Sequence, residues 1–231
     1  MSADRELPPI GSELPIGGTA LQRKLAAAAI DLFSSQGVQG TTVRQITGAC
    51  GLTPGALYNH FTSKDHLLYV IVRDIHLAAD ERMAAAIASA GPDPAEQLAA
   101  TVRFLVADTA EHKRRSRVAN REFNLLAGPR RQEVRAIRQR IRDRLTGILQ
   151  TGAELGAFDL AGGNELLGAN LAASAIITAC VHISEWTLEH YSPGIPDLQE
   201  RYALMALRMT GARTLARKQG GEILRRDVPA R

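Results

Sequence analysis

Residues 41–68 read TTVRQITGACGLTPGALYNHFTSKDHLL, and the order of capping and breaking residues in this stretch decides the fold. Thr42 is placed as the N-cap of a short helix carrying Val43, Ile46 and Cys50 on one side, and Gly51 ends it where a left-handed residue is needed. Thr53 is predicted to cap a third helix with Pro54 at its first position, where a missing N–H costs nothing. Two short helices joined by so tight a turn make a helix-turn-helix. Ser63, with Asp65 in the following turn, opens a longer helix whose dipole favours the acid.

Upstream, Leu21, Leu25, Ala28, Leu32 and Phe33 share one helical face, and Gly37 and Gly40 stop it. The prolines and glycines of residues 1–18 predict a flexible arm. Downstream, Leu67, Leu68, Ile71, Ile75 and Ala78 face inward on a long helix that Gly91 and Pro92 break. The pattern then stays helical, with no strand alternation. Val134, Ile137, Ile141, Leu145 and Ile148 form an apolar stripe beside Arg131, Arg135, Arg138, Arg142 and Arg144. The fold class is therefore all-α. A three-helix helix-turn-helix domain (19–66) is joined by a long helix to a helical ligand-binding and dimerisation domain (67–212), and a basic flexible tail (213–231) follows.

The chain has 231 residues, 45% hydrophobic and 23% charged, enough to bury a core, with a formal net charge of +4. Cys50 and Cys180 are far apart, which favours two reduced thiols over a disulfide or zinc module. With no secretory leader or spanning apolar run, a cytoplasmic protein is expected. His182, Glu185 and Glu189 share a helix face, but apolar neighbours and the lack of a fourth ligand argue against a metal. No nucleophile pattern surrounds either cysteine or the serines, so neither an enzyme nor a cofactor is expected.

The 41–68 stretch resembles the DNA-binding domain of the TetR family of repressors in Thr42, Ile46, Gly51, Thr53, Gly55, Leu57, Tyr58, His60, Phe61, Ser63 and Lys64. It departs from that pattern at Thr47 and Cys50, where alanines are common, and at Gly48 inside the second helix, which costs roughly 1 kcal/mol relative to alanine. The residues themselves suit the task. Val43, Ile46, Leu57 and Phe61 supply a small core, and Thr42, Thr53, Tyr58, His60 and Lys64 are candidate phosphate contacts. Gly55 permits close approach to a duplex. Arg44 is a candidate for guanine, and Pro54, Ala56 and Asn59 join Thr53 on the reading face. The Tyr58 ring suits a local core equally well. Arg23, Lys24 and Arg5 could add contacts to the duplex backbone.

The resemblance implies a homodimer on palindromic operator DNA, released by a small-molecule effector. Gly168, Ala172, Ala175 and Ala179 draw a stripe of small residues along the eighth helix, and Leu198, Tyr202, Met205 and Met209 an apolar row on the ninth. Together they are the candidate dimer interface, with an intrachain core as the competing reading. Candidate effector contacts are Phe104, Leu105, Asp108, Arg121, Phe123, Leu126, Ile177, Val181 and Trp186. The arginine-rich runs 113–121 and 130–144 read as solvated helix faces, with ligand phosphates as the minority reading. Residues 120–191 loosely resemble members that respond to acyl-CoA thioesters. The alternative is a small-molecule binding protein whose helix-turn-helix is unused.

Overall fold

The computed structural model describes residues 16–160, 165–185 and 194–212. Thr19 starts α1 (Ala20–Gln36) with a reciprocal capping box: its hydroxyl accepts from the Gln22 N–H, and the Gln22 carboxamide accepts from the Thr19 N–H. Thr42 and Gln45 repeat the device at α2 (Val43–Ala49). Gly51, at φ +71°, then reverses the chain in a conformation that side chains disfavour.

Helix α3 is shorter than predicted, spanning only Gly55–Tyr58. Pro54 stands at the N-cap, not at the first helical position, and no side chain caps the helix. The predicted Thr53 cap is corrected for a geometric reason. Pro54 already has helical dihedrals (φ −55°, ψ −32°), so the Thr53 carbonyl, not its hydroxyl, accepts from the Ala56 N–H in the first turn.

Helix α4 (Lys64–Ser89) begins at Ser63, whose hydroxyl accepts from the His66 N–H. The remaining helices are α5 (Pro94–Glu111), α6 (Lys113–Arg121), α7 (Gly128–Glu154), α8 (Glu165–His182) and α9 (Ile195–Met209), with a 3₁₀ turn at Glu122–Leu125. No strand occurs among the described residues.

Two buried clusters organise these elements. The first holds Leu25, Phe33, Ile46, Leu57, Phe61, Leu67, Leu68 and Ile71, and also Val118, Ala119, Leu126 and Val134 from α6, the loop after it and α7. On α1 the most buried face is Leu25, Ala26, Ala29, Ile30 and Phe33, while Leu21, Ala28 and Leu32 flank it. The second cluster joins α5 (Leu98, Val102, Val106), α7 (Ile137 to Leu149), α8 (Ala169, Ala173, Ile176, Cys180) and α9 (Ala203, Ala206). Phe158 covers Gly152 so closely that any side chain there would occupy the ring's place. Truncating a fully buried leucine such as Leu57 or Leu145 costs about 2–5 kcal/mol.

The predicted arm boundary at residue 18 also shifts. Ile16 is 3% exposed within the first cluster, and the Gly17 N–H donates to Asp74 Oδ2 at 3.2 Å, so packing begins by residue 16. Residues 1–15 and the predicted tail, 213–231, lie outside the described residues. Among the described residues no helix is long and apolar enough to cross a membrane.

Candidate functional site

One face of the molecule carries α2, α3 and the turn between them. Thr42, Arg44, Thr53, Pro54, Gly55, Tyr58 and Asn59 are exposed there, and Ala56 and His60 are half-buried. The face is outward because Leu57 and Phe61, on the opposite side of the same turn, are anchored in the first cluster. Tyr58 is 57% exposed, so its ring is not part of that core. A Cβ at Gly55 would meet no protein atom within 4 Å; nothing inside the chain requires glycine there. No Asp or Glu occurs from Thr41 to Lys64, which leaves this surface without anions of its own.

Lys64 also has partners within the chain. Its ammonium turns back and donates to Val38 O and Thr41 O, each at 2.6 Å, gripping the turn before α2. Two of its three protons are committed to that grip, which ties the start of α4 to the turn before α2 and leaves one proton for a phosphate. Lys24 is similarly engaged with Cys50 O at 3.0 Å, and Arg23 with Gly18 O at 2.7 Å. The carbonyls at helix ends and turns explain all three, because each lacks an intrahelical partner.

A second feature lies between α4, α5, α6, α7 and α8: a cavity of about 90 Å³. Its apolar wall includes Ile75, Ala79, Leu105, Ile141, Ile177 and Val181; its polar wall includes His76, Asp108, Asn120, Arg138 and Arg142. Four predicted effector contacts, Leu105, Asp108, Ile177 and Val181, are therefore on it. Phe104 packs on the second cluster and Leu126 is buried in the first. Arg121 pairs with Glu185 away from the cavity. Phe123 stands one layer back, with the Arg138 guanidinium 4.7 Å above its ring and Arg131 5.6 Å away. Trp186 lies outside the described residues.

His76 is buried, with Nδ1 2.8 Å from Val72 O and Nε2 3.1 Å from Arg138 Nη1. Burial, reinforced by the neighbouring Arg138 charge, lowers its pKa to about 4. It is then neutral near pH 7, with Nδ1–H donating to Val72 O and Nε2 accepting from Arg138. Arg138 also donates to Asn120 Oδ1 at 3.2 Å, and burial, with the Arg142 charge, lowers its pKa. Asp108 is held by Arg115 (2.6 Å) and Arg82 (3.1 Å).

The reading of the arginine runs as solvated faces holds for Lys113, Arg114, Arg121, Arg135, Arg140 and Arg144, which are exposed, and is corrected for Arg115, Arg138 and Arg142. Arg115 is buried against Asp108, Arg138 and Arg142 line the cavity, and Arg140 and Arg144 clasp buried Asp80 at 3.1 and 2.6 Å. Arg117 and Arg121 bind Glu185, and Arg117 also donates to Ser184 O at 2.7 Å, tying α6 to the end of α8. Glu185 is thus committed to arginines, and Glu189 lies outside the described residues. Among the described residues no group of His, Cys, Asp and Glu is arranged to hold a metal ion.

Residues 25–70 match the family described as bacterial regulatory proteins, tetR family, and residues 91–210 match the tetracyclin repressor-like C-terminal domain. The chain belongs to the TetR family. It is 27% identical over 142 residues to the transcriptional repressor KstR2 of Rhodococcus jostii, an alignment spanning 62% of this chain and 70% of that one. A crystal structure of a tetR-family regulatory protein from Rhodococcus RHA1 superposes with a TM-score of 0.75 at 28% identity, covering 85% of this chain and all of that one. AibR, solved in complex with isovaleryl coenzyme A and operator DNA, shares the fold with a TM-score of 0.71 at 19% identity, over 83% of this chain and 98% of its own.

In this TetR-family chain the predicted dimer residues divide by position. Ala175, Met205 and Met209 are exposed; Gly168, Ala172, Ala179 and Tyr202 are half-buried, with Ala172 and Tyr202 packed on the second cluster. The larger apolar surface there comes from residues the small-residue pattern overlooked: Leu166, Leu167 and Leu171 on α8 and Leu204 on α9, between 42% and 62% exposed. A hydropathy count of the outer faces of α8 and α9 would have found them. For the cavity, Arg138 and Arg142 were detectable as the i+4 and i+8 positions from buried Val134, at the edge of the apolar stripe.

Proposed function

We propose that this regulator is a homodimeric repressor that reads a two-fold-symmetric operator through α2 and α3 and releases it when a small amphipathic effector enters the cavity. The carrying observation is α4. Its first turn is fastened to the DNA-facing unit through Lys64, and its middle, Ile75, His76 and Ala79, is a cavity wall. At a 1.5 Å rise the two regions are roughly 18 Å apart on one continuous helix. A ligand that pushes the wall tilts the lever and alters the spacing of the two recognition units.

Dimerisation accounts for the exposed leucines and methionines of α8 and α9, which a lone chain would leave in water. Two copies related by a two-fold axis would present their α3 helices to half-sites about 34–36 Å apart. An acyl-CoA thioester is one effector class of the proposed kind, its acyl end against the apolar wall. AibR offers a precedent for that class at the level of the fold. Such a ligand acts only by binding the DNA-incompetent state more tightly, with coupling commonly about 1–3 kcal/mol.

The test is selection of duplexes by the purified protein, then anisotropy titrations at several salt concentrations with and without effectors. Specific binding that weakens steeply with salt, is lost in Tyr58→Ala and relaxes at particular bases in Arg44→Ala is expected. Failure to enrich any sequence would refute the proposal.

A further inference from the structure

Helix α7 carries two arginine pairs at the same i, i+4 spacing. Arg140 and Arg144 point to one side and share the carboxylate of Asp80. Arg138 and Arg142 belong to the cavity wall, and among the described residues neither has a carboxylate within ion-pair distance. The first pair shares one carboxylate; the second has none among the described residues.

The partners that Arg138 and Arg142 do have are neutral. Arg138 Nη1 reaches His76 Nε2 and Asn120 Oδ1, and Arg142 Nη1 reaches Gln139 Oε1 at 3.3 Å. The nearest carboxylate of the wall, Asp108, is already spent on Arg82 and Arg115. Two like charges four residues apart repel each other, and partial burial raises the cost because desolvated cations need a counterion. Meanwhile Arg138 Nε and Nη2 have no acceptor among the described residues, so a guanidinium edge with two parallel donors is left for a bidentate anion.

We propose that the effector is an organic anion whose carboxylate or phosphate is bound inside the cavity by Arg138, with Arg142 as second cation. Its apolar body lies against Leu105, Ile141, Ile177 and Val181. This inference rests on the cavity being the effector site and narrows the class: the charged end enters with the apolar one, instead of remaining outside. The cavity holds on the order of six water-sized groups, which fits a short-chain or single-ring acid. His76 supports the arrangement as a neutral acceptor that orients Arg138 without adding charge.

Calorimetric titration of the full-length protein with hexanoate, octanoate and benzoate, their amides, hexyl phosphate, hexanol and hexanoyl-CoA tests this directly. Binding of an acid or of hexyl phosphate, with the matching amide or alcohol at least about tenfold weaker, is expected, and the two anions compared separate a carboxylate site from a phosphate site. Arg138→Gln should weaken the anion by a similar factor, whereas Arg135→Gln, on an exposed part of α7, should not. Because the amide comparison uses the unaltered protein, a poorly folded variant does not blunt the test. Equal binding of acid and amide, binding of hexanoyl-CoA alone, or no binding of any anion overturns the inference. Release of the selected duplex by a neutral apolar compound at this cavity would do the same, while leaving the repressor proposal standing.

Discussion

The phenol of Tyr69, on α4, donates to Glu133 Oε2, on α7, at 2.5 Å. The Arg73 and Arg130 guanidinium groups lie over its ring, 5.2 and 5.3 Å from the centroid. The contact fastens the helix that carries the DNA-facing unit to the helix that carries the cavity arginines. Tyr69→Phe should lower stability by about 1–2 kcal/mol, toward the low end for a hydrogen bond to a charged group because Glu133 is exposed. Chemical denaturation of Tyr69→Phe, Glu133→Gln and the double variant checks it: strictly additive losses would mean that the two side chains do not interact.

Lys64→Met should separate holding from phosphate neutralisation. The grip on Val38 O and Thr41 O is lost, so the melting temperature and the affinity for duplex both fall. Counterion release depends on ammonium groups at phosphates, and most of this one is engaged internally. The salt slope of binding is therefore expected to stay nearly unchanged. A slope reduced by a full charge would make Lys64 chiefly a phosphate contact.

Gly48→Ala and Gly55→Ala form a matched pair, since a Cβ at either position meets nothing within 4 Å in the protein. Each should leave the fold intact, and Gly48→Ala, in the last turn of α2, should gain up to roughly 1 kcal/mol. Only Gly55→Ala should weaken duplex binding, because the space it fills is the space a groove wall would need. Equal affinity for the two variants would remove position 55 from the close approach.

His76 makes stability depend on pH. Its pKa is lowered to about 4 in the folded chain and returns to about 6.5 on unfolding. Between those values the unfolded state binds more protons, so stability rises with pH across the window, is fully present above about 6.5 and is lost as the pH falls toward 4. The full difference corresponds to about 3 kcal/mol. Calorimetric melting between pH 4 and 7 should show a slope that His76→Gln largely removes; the same slope in both proteins would place its origin elsewhere.

Legibility differed by the range of the interaction concerned. The caps at Thr42 and Ser63, the breaks at Gly37, Gly51 and Gly91, and the α7 stripe from Val134 to Ile148 were all readable, because each depends on residues within one or two turns. Thr53 misled because a hydroxyl beside proline looks like a cap whether or not the proline has already turned helical. Arg138 and Arg142 misled because charge outweighed position. They border the buried stripe, and which side of a border becomes cavity depends on what packs opposite.

The chain's own order of residues therefore determined the helices and most of their limits, α3 excepted, since hydrogen-bond caps and apolar spacing act locally. Tertiary structure alone decided which arginines meet Asp80, Asp108 or Glu185 and which are left facing a cavity. Ion pairing joins residues 60 or more positions apart in most of these cases, as in Arg140 with Asp80 and Arg121 with Glu185, and such distances close only when helices pack. The charge left over after that pairing is a property of the folded molecule.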